Sequence, residues 1–343
     1  MYKKVRQSNF ELLRILCMFG VLTSHSLMAM YDLHTLNFSF YNELRVFIMN
    51  ASCLAVNSFV LISGYFQIRP SWKSFIGLVS PCFFWSVFCS GLAYFTSECS
   101  LLFALRNIIF PFTETGLWFM KAYLALYLMA PLLNKAISNM NLSLLKRCTF
   151  MLIVIDVYIG YMHQSSEVTV DGYHLIHFVT LYLIANYLKT FRIKVNNQYI
   201  LGGVILCVLM ATCMHMCKMV FPPVAIIYSM RYNSPMLLST SILLFIYFKQ
   251  VSIQSNLINR ISSSVLSVYL ISSLPYIGKR YYQLIVMLNN CNSGFQAFGF
   301  VLGTMLIFYF LCIMADQIRK FLCKSIEERV FSFLEKHFHS VFD

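Results

Sequence analysis

The chain has 343 residues, of which 59% are hydrophobic and only 11% charged, with a mean hydropathy of +0.69. These proportions lie far from a soluble globular average and exclude a sizeable water-soluble domain. The net charge of +13 sits in short segments between apolar runs, so it reads as membrane topology and not as a nucleic-acid-binding surface.

Apolar runs long enough to cross a bilayer recur near 10–30, 46–66, 74–95, 117–134, 148–163, 173–188, 199–217, 234–248, 264–288 and 294–315. The expected fold is all-α: a polytopic integral membrane protein with about ten transmembrane helices, forming a single domain over 1–343. Of the 26 Lys and Arg residues, eighteen fall in segments on the same side as the N-terminus and six on the opposite side, with Arg14 and Lys121 inside runs. That asymmetry predicts that both termini are cytoplasmic. The twelve cysteines show no metal-ligand spacing and behave as small apolar residues. Cys99 and Cys291 fall in outer loops, where a disulfide between them is conceivable.

The first run carries the most informative pair, Arg14 and His25. Eleven residues is slightly more than three helical turns, so the two share nearly one face, roughly 16 Å apart along the axis. Charged and titratable groups on one stripe of a membrane helix face a protein interior or a wet cavity and mark a functional site by default. Glu11, Met18 and Leu22 lie on the same stripe. The bland alternative for His25 is a buried histidine bonded to a neighbouring helix. The basic start of the chain looks like a signal-peptide n-region, but Glu11 and Arg14 interrupt the run and no small-residue cleavage site follows, so it reads as an uncleaved first span.

The second run contains Asn57 and ends at Ser63-Gly64-Tyr-Phe, followed by Arg69 and Lys73. Gly64 permits close helix approach. Arg69 and Lys73, on the same membrane face as Arg14, have the chemistry of a phosphate site and equally of ordinary inside-positive residues. After the third run, 101–112 reads as a short interfacial helix ending at Pro111. The fourth run opens with Glu114, Gly116, Trp118, Lys121 and Tyr123. Trp118 suits an interfacial anchor and a sugar-stacking platform alike. Asp156 in the fifth run is a candidate ion-pair partner for Lys121. His174 and His177, three apart at the start of the sixth run, lack a third metal ligand. The tail 317–343 alternates charge with Phe and Leu and is expected to be an amphipathic helix on the cytoplasmic surface.

Four blocks together resemble the membrane acyltransferase-3 family. Asn9-Phe-Glu-Leu-Leu-Arg14-Ile through His25 is similar to its Arg-and-His signature. Ser58-Phe-Val-Leu-Ile-Ser-Gly-Tyr-Phe66 with Arg69 resembles its Ser-Gly-aromatic segment. Leu117-Trp-Phe through Tyr127-Leu-Met-Ala-Pro131-Leu-Leu-Asn134 resembles a third block, and Leu266-Ser-Val-Tyr-Leu-Ile271 a late one. In the late block Ser267 stands where the family often has glycine, and Ser272 where it often has histidine, so no role is carried to those positions.

The resemblance implies transfer of an acyl group, often acetyl, from cytoplasmic acyl-CoA to a hydroxyl of a cell-surface polysaccharide or lipid-linked sugar at a bacterial inner membrane. Acyl-CoA is then a co-substrate, and no cofactor is bound permanently. The implied roles are His25 as catalytic base or nucleophile, and Arg14, Arg69 and Lys73 as holders of the CoA phosphates. Glu114, Trp118, Lys121, Asn57 and Tyr123 would line the acceptor side, Asn57 and Tyr123 as candidate oxyanion donors. Two rivals remain: a transporter or flippase of lipid-linked glycans, which would use the same cavity without a thioester, and a glycan polymerase, which predicts larger outside loops than the modest ones here.

Overall fold

The computed structural model describes residues 6–31, 40–113, 116–162, 171–191, 195–220 (218–220 by backbone alone), 231–292, 294–338 and 341–342. Among these residues every regular element is helical. Two compact units divide the chain. One combines Met1–Ile68 with Ala122–Ser262, the other Arg69–Lys121 with Ser263–Asp343.

The first unit contains α1 (Ser8–Met30), α2 (Phe40–Cys53), α3 (Ala55–Phe66), most of α6 (Trp118–Ser138), α7 (Leu142–Val154), α8 (Leu175–Lys189), α9 (Asn197–Val220), α10 (Pro235–Gln250) and α11 (Asn256–Ser262). A π-helical segment, Ile155–Met162, continues α7. The expected first span agrees with α1 to within two residues at its start. The expected second span is α3 preceded by α2, and the two together make a predominantly apolar stretch of 27 residues. Phe10 fixes the crossing of α1 over α3 and α10 by packing its ring 5.3 Å from each of Tyr65, Phe66 and Phe245. On the other side of α3, Gly64 lies against the backbone of Tyr182 and the methyl of Ala185 in α8, where a Cβ would come within 2.9 Å of Ala185. The Asn186 amide donates to the Gly64 carbonyl at 3.0 Å, beside the Gln67 backbone N–H, and accepts from the Gln67 side chain at 2.9 Å. The small residue thus permits the approach and the amide holds it.

The second unit contains α4 (Trp72–Phe95), α5 (Leu101–Ile109), the first turn of α6, α12 (Leu266–Ser273), α13 (Ile277–Cys291) and α14 (Gly294–Phe338). Ser71 starts α4 through a reciprocal capping box with Ser74. Ser100 caps α5, which stops before Pro111 as its pattern predicts. Cys99 and Cys291 are both free thiols, so the conceivable disulfide is not formed.

Two elements differ from the sequence reading. The expected span 264–288 is not one rod: the helix ending at Ser273 and the one beginning at Ile277 meet at 78°. Pro275 removes a backbone donor at the bend, and Tyr276 takes a left-handed backbone (φ 73°). The last helix, expected over 294–315, continues unbroken through Gln317 to Phe338 and spans 45 residues. At 1.5 Å per residue that is about 68 Å, more than twice the hydrocarbon thickness of a bilayer. Among the described residues five helices are long and apolar enough to cross a membrane, or six if the bent pair counts as one span. The 15-residue α8 is apolar but shorter.

A buried ionic network holds the second half of α14. Asp316 and Arg319 are only 2% and 3% exposed. The Arg319 Nε donates to Asp316 Oδ1 at 2.7 Å, and its Nη1 donates to Glu327 at 2.8 Å. Ser80 of α4 also donates to Glu327, at 2.6 Å. Lys320 lies 3.2 Å from the other Asp316 oxygen. Near the C-terminal end, Trp72 Nε1 donates to the Phe338 carbonyl at 2.9 Å.

Candidate functional site

In the first unit α1 carries Arg14 and His25, one near each end. Glu11, one turn before Arg14, is nearly buried and accepts from Ser262 at 2.5 Å. Arg14 Nη1 donates to both Glu11 oxygens at 3.1 and 3.2 Å. A charge-balancing partner therefore comes from the same helix, which lowers the cost of placing the guanidinium in an apolar segment. The Arg14 side chain stays one-third exposed. His25 is half-buried on the same helix. Neither of its ring nitrogens makes a hydrogen bond to a described residue, so the bonded-core alternative finds no partner among them.

His177 of α8 presents the opposite case. It is wholly buried, with Nδ1 2.6 Å from Asp156 Oδ2 and Nε2 3.0 Å from Asn57 Oδ1. Asp156, on the π-helical segment, is also wholly buried. It therefore pairs with His177 in place of the expected Lys121. The Asn57 amide donates to the Tyr232 carbonyl at 2.9 Å, so both its ends are engaged inside the unit. Asn57, expected as a candidate oxyanion donor, is thus fully buried with its oxygen and one amide hydrogen engaged.

Tyr123, also in this unit, shares a 3.0 Å hydrogen bond with the Ser63 hydroxyl of the Ser-Gly block. Two motif blocks far apart in the sequence thus touch. Asn134, at the end of the third block, donates to the Ile68 carbonyl at 2.8 Å and accepts from Tyr182 at 2.7 Å.

In the second unit Arg69 and Lys73 are exposed around the start of α4, and neither is bonded to a described residue. Trp118 is half-buried and Lys121 exposed on the first turn of α6. Glu114 lies outside the described residues. Ser267, at the family's glycine position, donates to Asp316 at 2.7 Å and accepts from Trp85 Nε1 at 3.1 Å. Ser272 is buried and donates to the Tyr269 carbonyl at 3.2 Å. The residues that depart from the family pattern are thus built into the interior of this unit.

Sequence reasoning missed the Asn57–His177–Asp156 chain and the Ser262–Glu11 bond. Asp156 inside an apolar run was the available signal, since such a group requires a partner.

No curated protein and no solved structure matches the chain. A family described as an acyltransferase domain matches residues 7–315, nine-tenths of the sequence. All four motif blocks fall within that match, and by it the chain belongs to the membrane acyltransferase-3 family.

Proposed function

We propose that the chain is an O-acyltransferase of a bacterial inner membrane, with both termini cytoplasmic, that moves an acetyl group from acyl-CoA to a hydroxyl of a cell-surface polysaccharide or lipid-linked sugar. The observation that carries this reading is His25. It is a half-buried imidazole on an apolar helix whose nitrogens are uncommitted to described residues, three turns from a partly exposed guanidinium. A neutral imidazole has a nitrogen lone pair to accept a proton and suits proton transfer.

In this reading His25 accepts the proton of the acceptor hydroxyl while the oxygen attacks the thioester carbonyl carbon. The carbon–sulfur bond breaks, and the CoA sulfur leaves with the proton returned by His25. A variant of the route passes through a transient acyl-His25. Arg14, with one guanidinium nitrogen engaged by Glu11, keeps its other donors for a CoA phosphate. Arg69 and Lys73 add exposed cationic charge of the same kind. Trp118, Lys121 and Glu114 serve the acceptor. Tyr123 and Asn57 are the candidate donors to the developing oxyanion, one Asn57 amide hydrogen being already engaged by the Tyr232 carbonyl.

The test is turnover of acetyl-labelled acetyl-CoA by purified protein in nanodiscs, comparing wild type with His25→Gln. Loss of turnover in the variant, at an unchanged melting temperature, is the expected result. Equal turnover removes His25 from the chemistry and with it this mechanism.

A further inference from the structure

The Asp156–His177 contact has a proton count that can be read from its neighbours. Asn57 Nδ2 donates to the Tyr232 carbonyl, which can only accept, so Asn57 Oδ1 is the atom that faces His177. An amide oxygen also only accepts, so His177 Nε2 must carry a hydrogen. That leaves Nδ1 and Asp156 Oδ2, 2.6 Å apart, with one proton between them. The proton can reside on either atom, giving imidazolium with carboxylate or neutral imidazole with carboxylic acid. Both arrangements have zero net charge.

Both residues are wholly buried in an apolar unit. Their surroundings are polar on one side. Asn233 Nδ2 donates to the Asp156 backbone carbonyl at 3.1 Å, and the Asn233 side-chain oxygen, the second Asp156 oxygen and the Tyr161 hydroxyl are all buried without a hydrogen-bond partner among the described residues. Tyr161 follows Asp156 by five residues, one π-helical turn. Arg231 reaches the Tyr161 carbonyl at 3.4 Å and pairs with the partly exposed Asp171 at 2.8 Å. Among the described residues, the titratable and charged groups tied to the pair by these contacts are Tyr161 on its own segment and, beyond it, Arg231 with Asp171. From α3 the neutral Asn57 faces it.

We propose that Asp156 and His177 form a proton-binding site, an acid–base centre of the first unit separate from His25, in which Asn57 fixes the histidine tautomer. A π-helical segment widens the backbone at the carboxylate and is a recurrent feature of functional positions. A titratable Asp–His pair inside a membrane protein is the chemistry of proton relays. This site stands apart from the acyl-transfer reading, which uses neither residue, and either can fail alone.

The test is nitrogen NMR of full-length protein in nanodiscs at neutral pH, with isotope-labelled histidine and asparagine. His177 is identified in the wild type by its contact with the Asn57 side chain. The expected result is a protonated Nε2 together with an Nδ1 signal that is protonated or intermediate. In Asp156→Asn the new amide can donate to Nδ1, so Nδ1 should become a lone-pair acceptor while Nε2 keeps its hydrogen. His25→Gln should leave both signals in place. A wild-type Nε2 without a hydrogen overturns the proposal on its own, whether or not Asp156→Asn folds. If Asp156→Asn leaves the Nδ1 signal unchanged, the proton lies on Asp156, and a carboxylate instead of a carboxylic-acid carbon signal from labelled Asp156 in the wild type then overturns the proposal.

Discussion

The Ser272 carbonyl oxygen occupies the space that a Cβ on residue 278 would need, so Gly278 alone lets the first turn of α13 close onto the end of α12. The bend between these helices therefore rests on Pro275, on the left-handed Tyr276 and on a missing side chain.

Gly278→Ala should destabilise the protein, because the obstruction is backbone and cannot rotate away. Overpacking of this kind costs about 1–3 kcal/mol. Thermal unfolding in detergent reads the effect. Gly77→Ala is the control, since nothing stands within 4 Å of its Cβ position. Equal melting temperatures for the two variants would show that the bend is not held at Gly278.

Arg14→Lys should weaken acetyl-CoA binding although the charge is kept. Glu11 engages one guanidinium nitrogen, and the rest of the fork remains available for phosphate; a lysine held by Glu11 is a single point charge. Loss of one charge-assisted hydrogen bond, about 1.5 kcal/mol, corresponds to roughly tenfold in affinity. Calorimetry on the nanodisc protein measures it, and an unchanged dissociation constant would assign Arg14 to its pairing with Glu11 only.

Arg319→Met should be among the most damaging single changes. It removes the buried guanidinium from Asp316, which keeps only Lys320 and Ser267, and leaves Glu327 with Ser80. Breaking a buried pair from one side costs about 3–5 kcal/mol, whereas removing both charges is far milder. The double variant Asp316→Leu with Arg319→Met should therefore melt above Arg319→Met alone. If it melts lower, the pair is not the reason Arg319 matters.

Glu98, between α4 and α5, accepts from Arg280 and lies 3.3 Å from Lys279, both on the first turn of α13. Desolvation pushes its carboxyl up, but the Arg280 and Lys279 hydrogen bonds and charges outweigh this and hold it below the usual carboxylate range. A group with a lowered folded-state value contributes stability above its unfolded value, about 4.3 for glutamate. That contribution disappears as pH falls through the lowered value. Glu98→Gln should thus melt slightly below wild type at neutral pH and converge with it in strong acid. A gap that widens on acidification would reverse the sign assigned here.

Features carried by a single helix are legible in the amino-acid sequence. Arg14 and His25 share α1, so spacing alone places them, and the Leu101 start of α5 follows from its apolar pattern and from Pro111 downstream. The bend at Pro275 is hidden because an apolar run remains apolar through a break. The continuation of α14 is hidden because a charged tail reads as solvated until a partner such as Ser80 is known. Nothing local announces that Asn57 meets His177, since 120 residues separate them. Only the requirement that Asp156 be neutralised is visible, and His177 is one of several groups able to do it.

The ends of the ionic network also set an order of events during synthesis. Ser80 and Trp85 emerge early, but their partners Glu327 and Ser267 belong to the last stretch of the chain. The whole first unit's second segment, Ala122–Ser262, is made in between. While that segment is translated, α4 waits with the Ser80 hydroxyl and the Trp85 indole nitrogen lacking these partners. Arg319 in turn meets Glu327 only once both turns of α14 are made. A ribosome that stalls within α14 before Glu327 would therefore leave one unit able to fold and the other held open, a state exposed to quality-control proteases.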